Sequence, residues 1–123
     1  MEPQGDTESR NTLEIVNRFN DCFQRHDPTT LSELVANDCV IENTVPAPDG
    51  ARYEGRNACI KLWSEIATAP GTHFDLEEVW AQGDRATILW RFWFGEARSV
   101  RGVNLMRVRD GRIVEARGYV KGQ

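Results

Sequence analysis

Apolar residues recur first at helical spacing and later at alternating spacing. In "TLEIVNRFNDCFQRH" the positions Leu13, Val16, Phe19 or Asn20, and Phe23 share one helical face. Asn11, with Glu14 three residues on, has the form of a capping box, so the first helix is expected to start there. Residues 1–10 are polar, show no such period and are expected to be disordered. Asp27-Pro28 predicts a second short helix with Leu31, Leu34 and Val35 inward. "DCVIENT" reads as a strand and "VPAPDGARYEG" as a loop. A third helix is predicted from about Arg56 to Ala69, burying Ile60, Trp63 and Ile66 and ended by Pro70-Gly71.

From His73 onward the pattern is β. "HFDLEEVWA" turns at Gly83-Asp84 into "RATILWRFWF", a loop at Gly95 leads to "SVRGVNLMRV", and Asp110-Gly111 turns the chain into "RIVEARGYV". On that last strand Val114, Ala116, Gly118 and Val120 are expected to share a face. Helices followed by a run of antiparallel strands predict an α+β domain with helices on one face of a curved sheet. "RATILWRFWF" puts Ala86, Ile88, Trp90, Phe92 and Phe94 on one side and Arg85, Thr87, Leu89, Arg91 and Trp93 on the other. Both sides carry large apolar groups, so both are expected to be covered. A homodimer through the outer sheet face is the simplest cover, with Ala86, Ile88, Trp90, Phe92, Val103 and Leu105 lining it.

Composition narrows the function. A chain of 123 residues with 40% hydrophobic and 28% charged residues is one globular domain. Its net charge of −4 supplies no basic field for nucleic acid or an anionic membrane, so neither is expected as a partner. No apolar stretch reaches membrane-spanning length. Cys22, Cys39 and Cys59 are odd in number and lack metal-ligand spacing, and the polar N-terminus has no signal-peptide character. A cytoplasmic protein with free thiols, no metal and no cofactor is expected.

The element order, the segment "CVIENTVPAPDGARYEGRNA" and the closing hairpin resemble the nuclear transport factor 2 superfold. Within it, the chain is most similar to the SnoaL-like group of polyketide cyclases, ketosteroid isomerases and limonene-epoxide hydrolases. The resemblance implies a single SnoaL-like domain over residues 11–123, built as a cone-shaped α+β barrel with N-terminal helices packed on a curved, mainly antiparallel sheet. It also implies a pocket for a small hydrophobic molecule. Carried over residue by residue, the isomerase base falls on Asn43, and the oxyanion-hole groups fall on Phe19 and Asn104. The epoxide-hydrolase site falls on Ile41, Asn43, Arg91, Trp93 and Gly118, and the cyclase acid also falls on Gly118. None of these positions is a carboxylate.

The same comparison turns Leu89, Arg91, Trp93 and His73 toward the pocket. Arg91 then reads as an oxyanion-stabilising cation, or else as the partner of a neighbouring acid such as Asp75 or Glu77. His73 is the candidate general base, or else a strand-end residue in solvent. Asn43 and Asn104 can hydrogen-bond a carbonyl but cannot abstract its α-proton. Two functions follow: isomerase, cyclase or hydrolase chemistry on a small hydrophobic carbonyl compound through His73 and Arg91, or a non-catalytic ligand-binding or dimerisation module.

Overall fold

The computed structural model describes residues 4–122, with side chains from residue 7. Helix α1 (Gln4–Gln24) and the single turn α2 (Leu31–Leu34) lead into strand β1 (Val35–Glu42). After β2 (Arg52–Glu54) and helix α3 (Arg56–Thr68) come four long strands: β3 (Thr72–Gln82), β4 (Arg85–Phe94), β5 (Ser99–Arg109) and β6 (Arg112–Val120). They form one six-stranded sheet in the order β2-β1-β6-β5-β4-β3. Only β1 and β6 run parallel; every other pair is antiparallel. The sheet curves around the helices without closing, so β2 and β3 are its edges and the fold is an open α+β cone rather than a complete barrel.

The first helix begins at Gln4, not Asn11, and passes through the expected capping box without stopping. Its early turns are fastened to the β3–β4 turn. Gly83 N–H donates to Ser9 Oγ at 2.8 Å, and Thr12 Oγ1 donates to the Gly83 carbonyl at 2.7 Å. Tertiary hydrogen bonds thus order a polar stretch that lacks an apolar period of its own. Residues 1–3 lie outside the described residues. At the other end His26 sits in the left-handed region (φ 55°) and closes the helix, while its Nδ1 donates to the Ala67 carbonyl at 2.9 Å.

Val16, Phe19, Leu31, Leu34, Cys39, Trp63, Ile88 and Ile113 are among the buried residues that fill the space between helices and sheet. The β4 face that packs against the helices carries Ala86, Ile88 and Trp90, all buried. Across the sheet Ile88 pairs with Asn104 and Asn104 with Gly118, so these share the inner face. Arg91 pairs with Asp75 and Arg101, on the face turned away from the helices. The parity expected for β4 is therefore inverted. Ala86, Ile88, Trp90 and Phe92 are inside, and only Val103 and Leu105 of the expected dimer face lie outside. On β6 a bulge opposite Arg107–Val108 buries Ile113, takes Val114 off the inner face, and leaves Ala116, Gly118 and Val120 on it.

Candidate functional site

Between the helices and the inner sheet face lies a cavity of about 400 Å³, within the usual size of small-molecule sites. Its α1 wall is Phe19, Asn20 and Phe23; Trp63 and Ile66 come from α3; Ile88, Trp90, Phe92 and Phe94 come from β4. The aromatic rings brace one another. Phe19 meets Trp63 edge-on at 4.7 Å between centroids, and Phe74 meets Trp90 at 5.5 Å and Phe92 at 4.6 Å. Such contacts stabilise beyond area burial and hold the wall in shape. The rim is Asn43, Thr44 and Val45, from a loop that folds back on itself through Asn43 N–H to Ala51 O and Gly50 N–H to Pro46 O. Gly50 must be glycine, because it has φ +78° and the Asn43 carbonyl occupies the place of a side chain.

One polar pair is built into the sheet wall. Trp90 Nε1–H donates to Asn104 Oδ1 at 3.1 Å. An indole nitrogen can only donate, so the bond settles which end of the carboxamide is oxygen. The Asn104 NH₂ group stays available at the cavity wall. Two glycines make room for the pair. A Cβ at Gly102 would strike the Trp90 ring, and one at Gly118 would lie 3.2 Å from Asn104 Oδ1 and 2.9 Å from Thr44 Cγ2. Gly118 thus seats Asn104 and does not widen the cavity.

The sequence-derived site residues separate into two groups. Phe19, Asn43 and Asn104 line the cavity. Ile41 is buried in the core off the cavity wall, and Gly118 stands behind Asn104. Leu89, Arg91, Trp93 and His73 lie on the opposite face of the sheet. There Arg91 Nη1 donates to Ser99 Oγ at 2.8 Å and its guanidinium stands 5.6 Å from the Trp93 ring. Trp93 Nε1 donates to Asp75 Oδ2 at 2.7 Å. His73 is 58% exposed, stacked on Trp93 at 5.9 Å and 3.9 Å from Asp75 Oδ1. Neither His73 nor Arg91 can reach a molecule in the cavity.

The parity implied by the family's Arg-containing strand puts Arg91 inside, whereas the chain's own arginines mark the water-facing side. Arg85 and Arg91 on β4, and Arg101, Arg107 and Arg109 on β5, alternate with the residues that face inward. That signal would have found Trp90, and Asn20 was the open alternative to Phe19 on the first helix.

Among the described residues the cavity wall holds no ionisable side chain: its polar groups are Asn20, Gln24, Asn43, Thr44, Asn104 and the indoles of Trp63 and Trp90. Elsewhere Cys39 and Cys59 are fully buried. Burial pushes both thiols up, and the neighbouring Cys59 pushes Cys39 further. Among the described residues no three His, Cys, Asp or Glu side chains gather as metal ligands would. None of the described helices is long and apolar enough to cross a membrane.

The sequence profile of the SnoaL-like domain matches residues 16–116. An NTF2-like protein of unknown function from Mesorhizobium loti shares 67% identity over 98% of both chains, with a TM-score of 0.92. A steroid delta-isomerase from Pseudomonas aeruginosa has 20% identity and a TM-score of 0.76, over 92% of this chain and 81% of that one. An LEH-like epoxide hydrolase from M. tuberculosis also has 20% identity, with a TM-score of 0.73 over 93% and 85%. These two likenesses are of fold alone. Curated protein sequences give no match. With the profile spanning most of its length and a 67% identical structural neighbour, the chain belongs to the SnoaL-like domain family of NTF2-like proteins.

Proposed function

We propose that the protein binds a small, neutral, hydrophobic molecule bearing a carbonyl or similar acceptor, and does so without acid–base turnover. The observation that carries this reading is the cavity wall itself, aromatic and aliphatic with amide and hydroxyl groups but nothing that titrates. Isomerase, cyclase or hydrolase chemistry needs a group that takes or gives a proton within hydrogen-bond reach of the ligand. An ionised ligand would be desolvated there without a counter-charge. The Asn104 NH₂, held by Trp90, suits a carbonyl oxygen. Titration with alicyclic ketones, followed through tryptophan fluorescence, should saturate. Asn104→Leu should weaken binding about tenfold, the effect of one hydrogen bond. The proposal fails if no ketone binds, or if wild-type protein exchanges a ketone's α-protons faster than buffer does.

The outer sheet face supports homodimerisation as part of the same reading. Trp80, Leu105 and Tyr119 are 47%, 43% and 49% exposed there. The ion pairs Arg101–Glu77, Arg107–Asp84 and Arg117–Glu115 surround them with both signs of charge, as a self-complementary two-fold contact needs. Sedimentation should give a dimer that Leu105→Glu dissociates; a wild-type monomer refutes it. The free thiols of Cys22, Cys39 and Cys59 suit a reducing, cytoplasmic compartment.

A further inference from the structure

Asn20 is the one cavity residue whose presence costs the fold something and returns nothing to it. It sits within α1, where asparagine is a poor helix former. It is only 6% exposed, and its Nδ2 is shut off from solvent with no hydrogen-bond partner in the protein. Leucine would suit both the helix and the apolar wall better. A buried amide left unpaired is uncommon in native proteins and calls for a reason, and the residue lines the cavity.

The two carboxamides differ in what they offer. Asn104, on the sheet wall, has its oxygen taken by Trp90 and presents NH₂ alone. Asn20, on the helix wall, has an Nδ2 that no group of the protein accepts from, and rotation about its last torsion would turn either the donor or the carbonyl oxygen toward a ligand. The groups stand on different layers of the fold, Asn20 on α1 and Asn104 on β5, and both line the one cavity. We infer that Asn20 is a ligand-selecting contact and that the ligand is a neutral, largely apolar molecule oxygenated at two points, with an acceptor toward β5 and a hydroxyl or carbonyl toward α1. This rests on the binding function proposed above and narrows its ligand class.

The test uses one carbon skeleton at two oxidation levels: decalone, and the set of hydroxydecalone isomers. Each is titrated by tryptophan fluorescence against wild type, Asn20→Leu and Asn20→Ser. At least one hydroxydecalone should bind wild type about tenfold more tightly than decalone does, the effect of one added neutral hydrogen bond. Asn20→Leu should bind decalone and the hydroxydecalones with affinities within about twofold of one another, so that the preference is lost; Asn20→Ser, too short to reach, should lose it too. Without ligand, Asn20→Leu should melt about 3–6 °C higher, because it removes an unpaired buried group. The inference is overturned if no isomer is preferred, if the preference survives in both variants, or if Asn20→Leu lowers the melting temperature. If neither decalone nor any hydroxydecalone binds, the binding function falls and the inference falls with it; decalone binding without preference overturns the inference alone.

Discussion

Replacing Gly102 by alanine tests whether the Trp90–Asn104 pair is built as described. Gly102 lies opposite Trp90 on the inner face. A Cβ there would sit 2.5 Å from Trp90 Cζ2, would press on Cη2, and would lie 2.6 Å from the Tyr119 carbonyl of the next strand. Trp90 is 8% exposed, so its indole has little free space to move into other than the cavity. Overpacking of this kind costs about 1–3 kcal/mol. The Nε1–H bond to Asn104 is worth roughly 1 kcal/mol more if the ring moves off it. The sum, about 2–4 kcal/mol, corresponds to about 8–16 °C of melting temperature at this chain length. Urea unfolding followed by circular dichroism measures it directly. Gly122→Ala, with nothing near its added methyl, is the control and should stay within about 0.5 kcal/mol. Trp90→Phe removes the struck edge of the ring, so the double variant should be at least ~1 kcal/mol less destabilised than the two single losses combined. A Gly102→Ala protein as stable as wild type, or a cycle without coupling, refutes the packing argument.

Three further outcomes are expected. His73→Gln should leave ketone affinity within about twofold of wild type, since the imidazole is on the outer face; a fivefold loss contradicts that placement. Cys39 and Cys59 should resist a thiol reagent in native protein even in mildly alkaline buffer and react fully in denaturant, because burial keeps both protonated and covered; rapid native labelling of either overturns this. The Arg109 guanidinium holds the Asp38 carboxyl below its usual range. The stabilisation is therefore complete above an unfolded carboxyl pKa of about 3.9 and is lost as pH falls through the lower folded value. Asp38→Asn should flatten melting temperature against pH in that acid window, by a small amount because the pair is exposed; an unchanged acid limb counts against it.

The helices, the strand run and the Asp110-Gly111 turn, where both residues take positive φ (53° and 75°), were legible because period and turn chemistry act locally. The family was legible from element order. The site was only half legible. Strand parity is a global property, and on β4 it is not settled by hydrophobicity, because Trp93 and Leu89 on one side match Trp90 and Ile88 on the other. Bulges at Leu76–Glu78 and at Arg107–Val108 also break any count carried from strand to strand. Phe19, Asn43 and Asn104 were placed by the family resemblance, and that placement does not depend on the parity of β4. The start of α1 carries no local signal for a similar reason: Ser9 and Thr12 are ordered by Gly83, more than seventy residues away in the chain.

That fastening has a mechanical consequence. Near its start α1 is bonded to Gly83, and near its end Gln24 Nε2 donates to the Phe74 carbonyl at 2.8 Å while His26 holds Ala67. The helix that forms one wall of the cavity is therefore a beam clamped at both ends, and it cannot swing like a door hung on one hinge. A guest larger than the chamber cannot be admitted by pivoting the beam unless one of the clamps breaks. Affinity across a homologous series of guests should therefore rise with each added carbon and then stop abruptly, the behaviour of a preformed mould.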